Sequence, residues 1–409
     1  MKRKLMYAVL ALMGMMTISS CEEEDLEKVY QEGISLDSPF IFSADYQDTI
    51  VHAYTLGTPI SDWVSMVKDD TKVCKLSIPG THDTMTGMGF YQPVLKYIFG
   101  ITSISQVSTL EEQMACGIRF FDMRPVVSID TLATDPDEKR ILRMAHGISE
   151  IDVTLEQTLD QLKSYLAYHQ DEFFIVKLQA DNGLENQSTW PVLLNKVLSK
   201  DKYNGLFVQN WRPDITVGEV RGKVLLLSRY DLRPLNAAFN FPAAYCEWPD
   251  EDPDVQEELQ PEAQRNCTIV SLDDAAVKAT LYVQDYFKAD NEKRMNNKKQ
   301  TVIDMMNSAR EATAGDDDIW IINHCSAYTE VSPRGYITNA AVVHPLVIDN
   351  LLSREGTVGI MPIDMACHDY VHCIINGGTP YTSDYLYGFH PLSQSVTNLL
   401  VMSNKPYFK

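Results

Sequence analysis

Two histidines stand where strand-like apolar runs end. His82 closes Leu76-Ser77-Ile78-Pro79-Gly80-Thr81-His82-Asp83, and His146 follows Ile141-Leu142-Arg143-Met144-Ala145. A further run, Gly117-Ile118-Arg119-Phe120-Phe121-Asp122-Met123, delivers Asp122 and then Arg124. These residue types meet the needs of phosphoryl transfer from an alcohol. One imidazole takes the proton of a nucleophilic hydroxyl, the other gives a proton to the leaving oxygen, and a guanidinium meets the charge on pentacoordinate phosphorus. Histidine suits both roles because its unperturbed pKa of ~6.5 lies near neutral pH. Arginine adds a planar fork of donors that fits phosphate oxygens. Lys177, Arg229, Asp285, His324 and Asp364 end other apolar runs. Core packing alone does not select a polar residue at the end of every run.

The elements that must position these groups alternate. β-rich runs fall at Val73–Ile78, Gly117–Met123, Ile141–Ala145, Phe173–Leu178, Lys223–Ser228, Thr280–Gln284, Ile319–Asn323 and Thr357–Ile363. Between them Leu155, Leu159, Leu162 and Leu166 recur at helical spacing behind a Thr154–Gln157 capping box. Met305, Ala309 and Ala312 mark a second helix, and Val343, Leu346, Val347, Leu351 and Leu352 a third. The alternation predicts an α/β fold, a (β/α) TIM-type barrel of irregular form, whose chemistry sits at the C-terminal strand ends. An open doubly wound sheet is the rival, weakened because no glycine-rich phosphate loop follows any run. Residues 1–20 read as a signal peptide, 21–60 as a tether and lead-in, and 61–409 as the catalytic barrel. The Pro- and acid-rich stretch at about 232–274 reads as a rim insertion.

The segments around His82 and Arg124 resemble the paired signatures of the bacterial phosphatidylinositol-specific phospholipase C family, in its X-domain. Ala145-His146-Gly147, Ile175-Val176-Lys177, Leu227-Ser228-Arg229-Tyr230, Val283-Gln284-Asp285 and Gly359-Ile360-Met361-Pro362-Ile363-Asp364 follow in the order that the family has. The resemblance covers about residues 70–376. It implies a phosphoinositide phospholipase C forming diacylglycerol and inositol 1,2-cyclic phosphate, with no metal and no cofactor. His82 is then the general base on the inositol 2-hydroxyl, oriented by Asp364. His146 is the general acid assisted by Asp83, and Arg124 stabilises the phosphorane. Lys177, Arg229 and Asp285 hold inositol hydroxyls, with Asp122 beside the 2-hydroxyl. In calcium-dependent relatives, Asn follows the first histidine and a carboxylate stands two places after the strand-end acid. Here those residues are Asp83 and Arg124. The family's ring-stacking tyrosine lies two places after the sugar-binding aspartate, where this chain has Phe287. His324 also departs from the pattern.

The implied partner is phosphatidylinositol or a glycosylated inositol lipid. Gly89–Ile101 is aromatic-rich and occupies the place of the family's lipid-dipping rim helix, so the Phe90–Phe99 segment is a candidate membrane contact. Packing of the first barrel helix is its alternative. Two other functions remain open: a metal-dependent glycerophosphodiesterase-like barrel, and a non-catalytic lipoprotein binding inositol lipids or glycans.

Lys2, Arg3 and Lys4, the uncharged run Leu5–Ile18 and Ser19-Ser20-Cys21 read as a signal peptide with a lipobox, making Cys21 a lipidated N-terminus. The expectation is an exported, membrane-anchored bacterial lipoprotein. The formal net charge of −21 argues against nucleic-acid partners, which need a basic face. Of the eight cysteines, those after Cys21 are odd in number, and Cys246 with Cys267 is a candidate disulfide. His368 and His372 lie four apart with ligand-like spacing, but read as part of an ordinary surface helix.

Overall fold

The computed structural model describes residues 59–89, 103–130, 133–134, 139–181, 189–232, 243–249, 264–329, 335–369, 371–374 and 386–409. Cys21 and the Phe90–Phe99 segment lie outside them. Among the described residues, the strands are β1 Ile78–Thr81, β2 Phe120–Met123, β3 Pro125–Ile129, β4 Arg140–His146, β5 Ser149–Thr154, β6 Phe174–Leu178 and β7 Val224–Ser228. They continue with β8 Ala243–Cys246, β9 Cys267–Ser271, β10 Lys278–Gln284, β11 Trp320–Asn323, β12 Ile360–Ile363, β13 Val371–Ile374 and β14 Leu386–Phe389.

Nine of these close a barrel in the order β1-β12-β11-β10-β9-β8-β7-β6-β2. All neighbours pair parallel except at β9, which is antiparallel to both β8 and β10. The barrel is therefore a TIM-type parallel cylinder with one reversed strand inserted. Its membership differs from the sequence expectation at two places. The run Ile141–Ala145 lies in β4, which belongs to a separate antiparallel sheet, β3-β4-β5. The stretch 232–274 is not a rim insertion throughout, because it supplies β8 and β9 to the barrel wall. At the first run, Val73–Lys75 is a single 3-10 turn, and β1 begins at Ile78.

Side-chain alternation explains how the barrel presents its site, since residues two apart on a strand share a face. Ile78, Phe120, Ile175, Leu225, Leu227, Leu281, Val283, Ile322 and Ile360 pack in one buried cluster with Trp63, Trp211 and Trp320. Their neighbours Phe121, Phe174, Val176, Leu226, Ile321 and Met361 pack outward, with Leu155, Leu159 and Leu162 of the helix Leu155–Tyr168, in the other cluster. Burying each such large apolar side chain contributes about 1.5–3 kcal/mol, so a one-residue register slip would forfeit both clusters. Continuing the inward register upward, by two positions from Phe120, Ile175, Leu227, Val283 and Ile322 and by four from Ile78 and Ile360, brings in Asp122, Lys177, Arg229, Asp285, His324, His82 and Asp364.

The expected helices form. Thr154 and Gln157 make the reciprocal capping box of Leu155–Tyr168, and the helices Glu292–Ala314 and Gly335–Ser353 carry the other two periodic patterns. Cys116 and Cys367 form a disulfide. Cys246 and Cys267 are both buried and form no disulfide with each other, since Cys246 faces Ile269 across the β8–β9 ladder. His368 and His372 do not share a helix: the backbone of His372 is in β13, and His368 precedes it with its ring Nε2 2.9 Å from Ser108 Oγ.

Candidate active site

β1 ends in a short left-handed step. Asp83 has φ +43°, a conformation that costs an L-residue energy and that aspartate tolerates better than most. Asp83 caps the next 3-10 turn, with its carbonyl accepting from the Thr86 amide and hydroxyl at 3.1 Å each. The step lets His82 and Asp83 face the same space although they are adjacent. Gly80 lies one inward position below His82, where a Cβ would come within 2.8 Å of the Phe120 ring. Buried Gln106 ties two strand ends together. Its Nε2 donates to the carbonyls of His82 (2.9 Å) and Ile363 (2.8 Å), and its Oε1 accepts from the Ala366 amide (2.9 Å). His82 and Asp364 are thereby held in fixed relation.

His82 Nδ1 lies 2.9 Å from Asp364 Oδ1. His82 Nε2 and His146 Nε2 both point at Asp83 Oδ2, at 3.1 and 3.2 Å, with their ring centroids 6.3 Å apart. His146 Nδ1 contacts the Ser103 carbonyl at 2.7 Å, which fixes that nitrogen as the donor. Although β4 lies outside the barrel, its last residue brings His146 to the mouth. The Arg124 guanidinium bonds three carboxylates: Asp83 at 2.6 Å, Asp122 at 3.0 Å and Asp181 at 2.9 Å. Asp122 is also 2.9 Å from Lys177 Nζ.

On the far side of the mouth, the indole of Trp248 lies between two cations, with Lys177 Nζ 4.6 Å and the Arg229 guanidinium 4.5 Å from its ring centroid. Trp248 Nε1 donates to Asp285 Oδ2 at 2.9 Å. Phe287 is 38% exposed, and its ring stands against Tyr328 at 6.4 Å.

Burial governs the protonation states. It presses the His82 imidazole well below its usual pKa, helped by Arg124, so the ring is a neutral acceptor. Burial raises Asp83 to about 6 against the pull of Arg124, and pushes Asp364 well above the carboxylate range, with Asp83 adding to it. Burial also opposes ionisation of Asp122, but Arg124 and Lys177 prevail and hold it well below that range. Lys177 and Arg229 are lowered by burial. The site thus pairs a low-pKa acid with high-pKa acids a few ångströms away, the separation that acid–base catalysis requires.

Ligand atoms of His82, Asp83 and Asp122 lie within 4.8 Å of one another, a spacing that could hold a divalent cation. The Arg124 guanidinium already bonds both carboxylates, and its charge opposes a second cation there.

Sequence reasoning did not single out Asp181, Trp248, Gln106 or Tyr336. Tyr336, in the helix Gly335–Ser353, places its hydroxyl 3.1 Å from His146 Nε2. The alternation Ala244, Cys246, Trp248 carried a signal for the tryptophan. The run was too short and its surroundings too acidic for that signal to stand out.

Comparison with known proteins bears on this arrangement. The chain is 23% identical over 192 residues to the 1-phosphatidylinositol phosphodiesterase of Staphylococcus aureus (strain Newman), covering 46% of this chain and 57% of that protein. It is 29% identical over 173 residues to the protein of the same name from Listeria monocytogenes, covering 41% and 48%. The chain has homologues among the bacterial phosphatidylinositol phosphodiesterases. It spans about half the length of these curated relatives. Among solved structures, the phosphatidylinositol-specific phospholipase C of S. aureus superposes with a TM-score of 0.61 at 18% identity, over 85% of this chain and 97% of that one. The L. monocytogenes enzyme gives 0.54 at 17%, over 85% and 100%. The barrel fold is therefore shared with these phospholipases. No family model matches the chain.

Proposed function

We propose that this chain is a phosphatidylinositol diacylglycerol-lyase working by metal-independent general acid–base catalysis. The observation that carries the reading is the convergence of His82 Nε2 and His146 Nε2 on one point beside the Arg124 guanidinium. His82 Nε2 takes the proton of the inositol 2-hydroxyl, whose oxygen attacks phosphorus. The bond from phosphorus to the diacylglycerol oxygen breaks, and His146 Nε2 protonates that oxygen. Inositol 1,2-cyclic phosphate and diacylglycerol leave. Asp364 accepts from His82 Nδ1 and so holds the tautomer that leaves Nε2 open to take the proton. Asp83, in contact with both imidazoles, passes the proton balance between them. The Lys177, Arg229, Asp285 and Trp248 cluster receives the ring hydroxyls.

Headgroup release from phosphatidylinositol vesicles, with phosphatidylcholine vesicles as control, tests this directly. Release from phosphatidylinositol alone, undiminished by excess chelator, is the expected result. Loss of activity in chelator with recovery on adding a divalent cation would favour the diesterase reading, for which the His82–Asp83–Asp122 spacing is the supporting feature. No release in either condition would favour a binding lipoprotein.

We further propose that the protein lies outside the cytoplasm, anchored through acyl chains on Cys21. The motif ending at Cys21 supports it, and a lipoprotein terminus supplies the several chains that stable anchoring needs. The mature protein should partition into the detergent phase, and Cys21→Ser should move it to the aqueous phase. An unmodified N-terminus at another residue would refute the assignment.

A further inference from the structure

His324 is a third histidine at the barrel mouth, and the acid–base steps above make no use of it. It directly follows β11, in the inward register set by Trp320 and Ile322, both members of the barrel-interior cluster. Its main chain is held firmly. The carbonyl accepts from Lys298 Nζ and Gln284 Nε2 at 2.7 Å each, and its amide donates to the Gln284 carbonyl at 2.9 Å. The ring stands edge-on to both halves of the site, with centroids 6.0 Å from His82 and 5.7 Å from Trp248.

This imidazole differs from the core histidine His344, whose Nε2 likewise has no hydrogen-bond partner among the described residues, by standing at the barrel mouth between His82 and Trp248. It is 1% exposed, and its Nε2 has no hydrogen-bond partner among the described residues, while Nδ1 lies 3.3 Å from Ser326 Oγ. A buried polar nitrogen left unpaired costs free energy that a satisfied one does not. Burial also lowers its pKa to about 4 despite nearby Asp285, so the ring is uncharged at neutral pH. An uncharged imidazole beside Trp248, whose indole holds Asp285 and lies against Lys177 and Arg229, offers one neutral hydrogen bond within a polar cluster. A hydroxyl fits that offer better than a phosphate oxygen, which Arg124 is placed to meet.

We propose that His324 is a specificity-determining residue whose Nε2 bonds one ring hydroxyl of the cyclitol headgroup between His82 and Trp248. The inference rests on the inositol-lipid reading above and adds to it the group that senses a particular hydroxyl. A site built to bond a hydroxyl discriminates against the analogue that lacks it, because the buried partner is left unpaired.

The test uses the full-length protein and a water-soluble short-chain phosphatidylinositol. It is paired with a series of singly deoxy analogues, one for each ring hydroxyl that is neither attached to phosphorus nor attacking it. For the intact substrate, His324→Leu should lower kcat/KM by about 10–100-fold, the range expected for one unsatisfied buried bond. For one deoxy analogue, wild type and His324→Leu should be cleaved equally, because the bond is already missing. His324→Gln, which keeps a donor and an acceptor, should recover part of the loss and serves as the second variant if leucine impairs folding. An equal loss on every analogue, or no loss on any, would overturn the proposal. Wild-type protein that cleaves no inositol ester would instead remove the functional reading itself.

Discussion

His82→Ala and His146→Ala are each expected to lower turnover by about 10²–10⁴-fold, the range that a positioned general base or acid contributes. Neither change should unfold the chain. The His82 ring hangs at the end of β1 above Gly80 and leaves the two apolar clusters untouched. Asp364, which loses its imidazole partner, is already pushed well above the carboxylate range by burial and can remain neutral. Because the two imidazoles act on one transition state, the double variant should fall little below the worse single one. A substrate whose leaving group is a nitrophenolate separates the roles, since it departs without a proton. It should restore His146→Ala and leave His82→Ala inactive. Near-normal turnover by either folded variant, or equal rescue of both, would refute the assignment.

How much of this was legible in the sequence follows from what is local and what is not. Period-two alternation is local, so the order of residues alone places Ile78 and His82, or Ile175 and Lys177, on one face. It also explains why the strand-end polar residues converge. Strand pairing is not local. Ile141–Ala145 has the same apolar pattern whether it joins the barrel or, as β4, pairs with β3 and β5, and only those partners decide. β8 is four residues long in acid-rich surroundings, yet its neighbours β7 and β9 make it part of the wall. The missed contacts have the same origin. Asp181 reaches Arg124 across 57 positions, Tyr336 reaches His146 across 190, and the Cys116–Cys367 disulfide spans 251. Cys246 and Cys267 looked like partners because they flank one stretch, but the β8–β9 register sets neither opposite the other.

Arg124→Ala should cost about 10²–10³-fold in kcat/KM, comparable to the loss of one donor to a developing oxyanion. Three carboxylates, Asp83, Asp122 and Asp181, surround a single guanidinium, and Lys177 is the other cation bonded to one of them. The alanine variant leaves buried acids close together, so protons must enter the site to neutralise them. That change removes the charge meeting the phosphorane and also disturbs Asp83, the contact between the two histidines. Arg124→Lys separates these effects. A lysine keeps the charge but loses the planar fork that spans three acids, so it should restore stability more fully than turnover. Phosphorothioate substrates of the two configurations at phosphorus supply a readout that a structural role would not move. Wild type should prefer one configuration, and both Arg124 variants should lose much of that preference, because the fork addresses one non-bridging oxygen. Variants that keep the full stereochemical preference while losing only Tm would show that Arg124 organises the acids without touching the phosphoryl group.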